Sequence, residues 1–294
     1  MSELTTVIVD ALYRGILGRA PEPQALQASG EWLDNHGVAQ SLGGFVESFV
    51  TSEEFRTRVN VTGFLSDPPA PHWPDRAPYR HAVSLGSNCY VSQMLKGQGL
   101  KRFSAPFDWV FSTPAMVEHC LRDDFATLLD RSLLVALPER PGAEGFELSE
   151  HVFYRDRFGV PRMFNHHDVT TDADYGYLSR CAGRLRGVLR GGEPTLCVLA
   201  ARDRPDAPAE LESLGGALRE IAPHADLLAV LVTEPAAGGL SFGMQAVHES
   251  EGRLVMRFTP TSRMHPLSFD NPFDDVLMHR LVRSFRFEMP AKQG

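Results

Sequence analysis

The stretch Thr195–Ala201 is apolar after its first residue, and Leu227–Val232 is apolar throughout. A strand with one face in water alternates polar and apolar residues, so runs like these need cover on both faces. The intervening segment Ala209–Ile221 has helical spacing, as does Tyr175–Leu189 before the first run. Strands that are apolar on both sides and separated by helices predict an α/β fold, a mostly parallel sheet in three layers. His81–Leu85 followed by a helix over Tyr90–Gln98, closed by Gly99, fits the same plan. So do a late strand over Leu254–Phe258 and a final helix over Phe273–Phe285. Between them, Pro114–Leu129 is expected to be helical with a break near Asp123. Val152–Tyr154 and Met163–Asn165 are expected to flank a hairpin-like turn at Asp156-Arg157-Phe158-Gly159.

The first part of the chain follows a different pattern. Val7, Ala11, Leu12, Ile16 and Leu17 recur at helical spacing before Gly18. A second helix is expected from Gln24 to Asn35, ending at Gly37, and a third from Leu42 to Val50. Thr51 or Ser52 would cap a fourth. Pro68, Pro69, Pro71, Pro74 and Pro78 remove backbone donors and favour extended chain, so residues 63–80 are expected to be a linker. The organisation is a small all-α domain over 1–62, the linker, and an α/β domain over 81–294.

Hydrophobic residues at 43% and charged residues at 22% describe an ordinary globular chain. The net charge of −8, without a basic stripe, gives nucleic acid no counterion-release footing and suits an anionic membrane surface poorly. No run of about 18 apolar residues predicts a membrane span. The opening residues lack the basic start and apolar run of an export signal, so a reducing cytoplasmic location is expected. Cys89, Cys120, Cys181 and Cys197 have no CxxC or other metal-ligand spacing. No metal and no cofactor is expected.

In open parallel sheets, ligands bind beyond the carboxyl ends of the strands. That rule selects Ser87, Asn88 and Cys89 after the first strand, Arg202 and Asp203 after Ala201, and Thr233 and Glu234 after Val232. Cys89 would lie at the start of a helix, where the positive end of the dipole lowers a thiol pKa toward neutrality. The free amides there could hold an oxyanion, and Gly86 permits the tight turn. The plain alternative is a buried small hydrophobe. A thiolate nucleophile needs a base, and His166-His167-Asp168 supplies candidates. Adjacent strand residues point to opposite faces, so one of the two histidines at most would face a pocket. Asp168 is badly placed to orient its neighbour. Asp108, Asp270 and Asn271 are more distant candidates. His119, Cys120 and Cys197 are expected to pack in the core, and Arg180–Arg190 to form a solvated helix face.

Two resemblances add to this reading. Leu12-Tyr13-Arg14, Leu17-Gly18-Arg19-Ala20-Pro21, Trp32 and Ser52-Glu53-Glu54-Phe55 resemble a small bacterial helical domain of unknown function. That resemblance implies a packing or targeting module, a place for a protein partner. Val83-Ser84-Leu85-Gly86-Ser87-Asn88-Cys89, then Ser104-Ala105-Pro106-Phe107-Asp108-Trp109 and Ser112, resemble a bacterial family described as papain-like cysteine peptidases. Its His-Asp pair matches His167-Asp168, and a strand ending in Arg matches Arg202. The resemblance implies Cys89 as nucleophile and His167 as proton shuttle. Ser87, Asn88, Asp108 and Arg202 would then lie on the substrate. The expected function is a cysteine-dependent hydrolase or acyltransferase acting on a peptide, amide or ester, on a small molecule or linked to a glycan. The alternatives are a nucleotide-sugar-binding, glycosyltransferase-like enzyme with phosphates at Gly86-Ser87-Asn88, and a non-catalytic scaffold.

Overall fold

The computed structural model describes residues 2–17, 19–50, 52, 54, 73, 75–138, 145–235 and 242–289. Most of the expected fourth helix and proline-rich linker therefore lies outside the described residues. The helical part comprises α1 (Glu3–Leu17), α2 (Pro23–His36) and α3 (Val38–Val50). Pro23 opens α2, and Gly37 closes it with φ +75°, a backbone conformation that glycine adopts at little cost. Arg19 ties together three of the quoted blocks. Its guanidinium forks onto the Glu54 carboxylate at 2.5 and 2.7 Å and lies over the Tyr13 ring.

The α/β part runs β1 (His81–Ser84), α4 (Tyr90–Gly97), α5 (Pro114–Arg122), β2 (Leu134–Ala136), β3 (Ser149–His151), α6 (Val152–Phe158), α7 (Asp172–Gly191), β4 (Thr195–Arg202), α8 (Ala207–Ile221), β5 (Ala225–Val232), β6 (Gly243–Ser250), β7 (Arg253–Thr259) and α9 (Pro272–Arg283). Five strands form one sheet in the order β1-β4-β5-β7-β6. The first four are parallel and β6 is antiparallel at the edge. The central strands have the double cover their sequence demands. Val83, Leu199, Leu231 and Val255 face α5, α7 and α8, while Ala82, Val198, Val230 and Met256 face α4 and α9. Leu17 and Phe49 of the helical part belong to the second of these clusters.

One expectation is corrected. Val152–Phe158 is a helix, not the first arm of a hairpin, and Gly159 (φ +63°) is its left-handed cap. Val152, Phe153 and Tyr154 favour strands locally, but packing overrides that preference. Tyr154 is fully buried, and its ring lies 5.7 Å from Phe158 one helical turn on. Two further strand features were not foreseen: β6, and the β2–β3 pair. The helix expected over Pro114–Leu129 stops at Arg122, where the break was expected, and does not resume: residues 123–129 are turns.

At the carboxyl end of the sheet, the loop after β7 is fixed from below. Fully buried Asp274 accepts hydrogen bonds from the amides and hydroxyls of Thr261 and Ser262. Asn271 caps α9 through Phe273 N.

Candidate active site

The turn after β1 is sewn to β4. Ser87 N and Ser87 Oγ both donate to the Ala200 carbonyl, at 3.3 and 2.7 Å, and Gly86 O accepts from Ala200 N. The Ser87 carbonyl accepts from Ser112 N at 3.0 Å. Gly86 has φ +91°, and a Cβ there would sit 2.2 Å from Ser112 Oγ, so only glycine fits. Asn88 Oδ1 accepts from Tyr90 N at 3.0 Å. Of the amides expected to hold an oxyanion, those of Ser87 and Tyr90 are thus already engaged. The amides of Asn88 and Cys89 remain. The same bonds leave Gly86-Ser87-Asn88 little with which to cradle phosphates, which weighs against the nucleotide-sugar reading.

Cys89 stands directly before α4, as expected, yet its thiol is not acidified. Burial pushes it up to about 11. Its own amide and Lys101 pull downward, while Asp108 adds to the rise. The magnitudes decide the outcome: a helix end contributes at most about 2 kcal/mol, near 1.5 pH units. Burial can shift a group by about 3–5 units. Cys89 is only 1% exposed, so burial wins.

Asp108 is buried as well, and it is latched. Lys101 Nζ lies 2.6 Å from its carboxylate, and the amide of Ala105 donates to it at 2.7 Å. Burial raises the Asp108 carboxyl, with Lys101 opposing. The Lys101 ammonium also lies over the Trp109 ring and donates to Ser92 Oγ. Asp108 therefore holds the Ala105–Trp109 segment in place, the capping role its apolar neighbours suggested.

His166 and His167 point to different surroundings, as expected, although they lie in a loop and not in a strand. His166 lies outside, edge-on to Phe146 and Trp109, and burial lowers its pKa with help from its neighbour His167. His167 faces a small, largely apolar cleft with Pro106, Trp109, Phe164, Tyr177 and Cys181. Its ring lies against Tyr177, centroids 4.8 Å apart. The carboxylate that holds it is Asp174, with Nδ1 donating to Oδ1 at 3.0 Å. Asp168 does not serve: its Oδ1 accepts from the amide and hydroxyl of Thr170. Its own amide donates to the second Asp174 oxygen at 2.9 Å. Asp270 binds His265 instead, and Asn271 is a helix cap.

The sequence carried a signal for Asp174. Thr171-Asp172-Ala173-Asp174 has the capping-box pattern. Thr171 Oγ1 accepts from Asp174 N, while the Asp174 carboxylate turns to His167 and Asp168 instead of back to the Thr171 amide. Placing the helix start at Tyr175 concealed it. Cys181 was not singled out from the sequence. It lines the His167 cleft one turn beyond Tyr177, with Arg184 Nη1 at 3.7 Å from its sulfur. Burial raises its thiol, while Tyr177 and Arg184 pull it down. Both Cys89 and Cys181 feel the Lys101–Asp108 pair, so the two thiols share one electrostatic neighbourhood.

The other expectations sort simply. Arg202 ends β4, exposed, with Glu234 at 3.6 Å. Asp203 pairs with Arg257 at 2.8 Å. Cys120 binds Tyr154 inside the core, and Cys197 is fully buried in β4. Arg186 and Arg190 grip Asp124 rather than standing free. Among the described residues, no group of three or more His, Cys, Asp or Glu is arranged to hold a metal ion. None of their helices is long and apolar enough to cross a membrane.

Residues 80–175 match the model of a family described as "Putative papain-like cysteine peptidase". The matched third of the chain includes Cys89, Asp108, His167 and Asp174 and stops short of Cys181. No curated protein and no solved structure matches the chain.

Proposed function

We propose that the chain is a cysteine-dependent hydrolase or acyltransferase for a peptide, amide or ester. Cys89 is its nucleophile and His167, oriented by Asp174, its acid and base. The observation that carries this reading is the His167–Asp174 bond. It fixes Nδ1 as the donor and leaves Nε2 to exchange a proton with a reacting group. The family match supports thiol chemistry at this level, since it spans the Cys89 turn and the His167–Asp174 pair.

In the reaction, the Cys89 thiol proton passes to His167 Nε2 as the sulfur bonds to the acyl carbon. The carbonyl electrons move onto oxygen, where the Asn88 and Cys89 amides receive the charge. Collapse expels the amine or alkoxide, which takes the proton from His167. Water, or an acceptor in acyl transfer, then attacks the thioester with His167 as base and regenerates the thiol. A thiol near pKa 11 is neutral at rest, so the proton moves only once the acyl group is in place. The Ala105–Trp109 segment borders the His167 cleft and carries Asp108, whose charge acts on the Cys89 thiol. With Cys89 only 1% exposed, local packing must shift to admit substrate. Lys101 is the latch on that segment.

A second reading has one observation in its favour: Cys181 shares the cleft with His167 and has Tyr177 and Arg184 to support a thiolate. Treating the wild-type chain with p-nitrophenyl acetate and mapping the acyl-thioester by mass spectrometry separates the two. An adduct on Cys89 supports the first reading. An adduct confined to Cys181 transfers the nucleophile there, and no thioester at all contradicts thiol catalysis.

A further inference from the structure

Beyond the thiol, the carboxyl end of the sheet carries a second cleft, lined by Arg202, Val232, Thr233, Glu234, Arg263 and Met264 among others. It lies past the ends of β4 and β5 and under the loop after β7, where an open parallel sheet receives ligands. Two guanidinium groups border it in a chain whose net charge is −8. Arg263 forms no ion pair among the described residues. Arg202 has one acid nearby, Glu234, at 3.6 Å, and both side chains are about 70% exposed. A pair that exposed contributes little and opens readily. By contrast, the neighbouring Arg257 is held at 2.8 Å by Asp203.

The loop that carries Arg263 is built rigidly for an exposed segment. Asp274, beneath it, takes four hydrogen bonds from Thr261 and Ser262, immediately before Arg263. Ser262 Oγ accepts from Asn271 N, and Asp270 N donates to the Arg263 carbonyl at 3.0 Å. Met264 bridges Phe269 across the loop. The backbone of an unpaired arginine is thus pinned on both sides, which lowers the entropic cost of using its side chain.

We infer that Arg202 and Arg263 together form an anion-binding subsite for a phosphate or carboxylate group of the substrate. This inference rests on the acyl-transfer reading only for calling the ligand a substrate; anion binding itself is independent of it. Planar guanidinium groups bind either anion through paired, charge-assisted hydrogen bonds. Glu234 is the resident competitor and swings out when the anion enters.

The test is isothermal titration of the full wild-type chain with inorganic phosphate and, separately, with acetate at constant ionic strength. Neither reacts with a thiol, so the readout does not depend on catalysis. Saturable binding is expected, weakened about tenfold by Arg263→Gln and by Arg202→Gln and tightened by Glu234→Gln. Arg180→Gln, an exposed arginine on α7, should leave it unchanged. The tighter of the two anions identifies the source. All three arginines are exposed, so the variants keep their fold, which their melting curves check. Absence of saturable binding in wild type overturns the inference, as does an Arg263→Gln chain that binds like Arg180→Gln. Binding without acylation by p-nitrophenyl acetate would instead sink the hydrolase reading alone.

Discussion

The turn bearing Cys89 and the turn bearing His167 both lead into a helix, and they use their polar groups in opposite ways. At the first, hydroxyl, amides and carbonyls are directed inward onto β4 and Ser112, and the thiol is sealed with a raised pKa. At the second, Asp174 draws in the Asp168 amide and one imidazole nitrogen, and the ring stays partly exposed in a cleft. Thr171 caps α7 with its side chain, whereas Cys89, at the start of α4, makes no such bond. The first turn is closed around its thiol and the second leaves its imidazole in a cleft. The difference lies in where each turn directs its polar groups.

The largest way to break that contrast is Lys101→Met. Asp108 would be left buried without its cation, at a cost of about 3–5 kcal/mol. Chemical denaturation at pH 7.5 measures it. The sign follows from the raised carboxyl: a buried Asp108 costs stability when charged, and Lys101 offsets that cost. The deficit of the variant against wild type is therefore greatest at neutral pH and shrinks as pH falls through the raised Asp108 pKa. A deficit that grows toward acid would show that the pair does not hold the segment.

Next comes glycine. Gly86→Ala should cost about 3 kcal/mol, combining a left-handed backbone with a collision against Ser112. Gly159→Ala, left-handed with open space around it, should cost about 1 kcal/mol. Equal losses in thermal unfolding would mean that the Cys89 turn is no tighter than an ordinary helix cap. A smaller effect sharpens the comparison further. Alkylation of Cys89 by iodoacetamide in the resting chain should be slow at pH 8 and still rising at pH 10, as a thiol near 11 requires. A plateau near pH 7 would contradict burial as the controlling influence.

The central sheet was legible because Leu227–Val232 cannot be covered on one face only, and the structure buries every residue of β5. β6 was not legible, since Gly243–Ser250 is an exposed edge with a bulge and carries no apolar run. Cys89 and His167 were singled out from strand-end position and from the resemblance. Asp174 was in reach through the Thr171 capping-box pattern. The raised Cys89 thiol was not, because the helix-end effect is local and readable while burial depends on how the rest of the chain packs around the turn. Lys101 meets Asp108 for the same tertiary reason.

Catalysis of the proposed kind requires the two turns to act as one site. The most direct measurement is the rate of Cys89 acylation by p-nitrophenyl acetate in wild type and in His167→Ala, with melting curves alongside. Loss of the proton shuttle should slow acylation about a hundredfold or more, and the partly exposed His167 should leave the melting temperature nearly unchanged. Cys89 acylated at the wild-type rate in a folded His167→Ala chain would contradict a shared site.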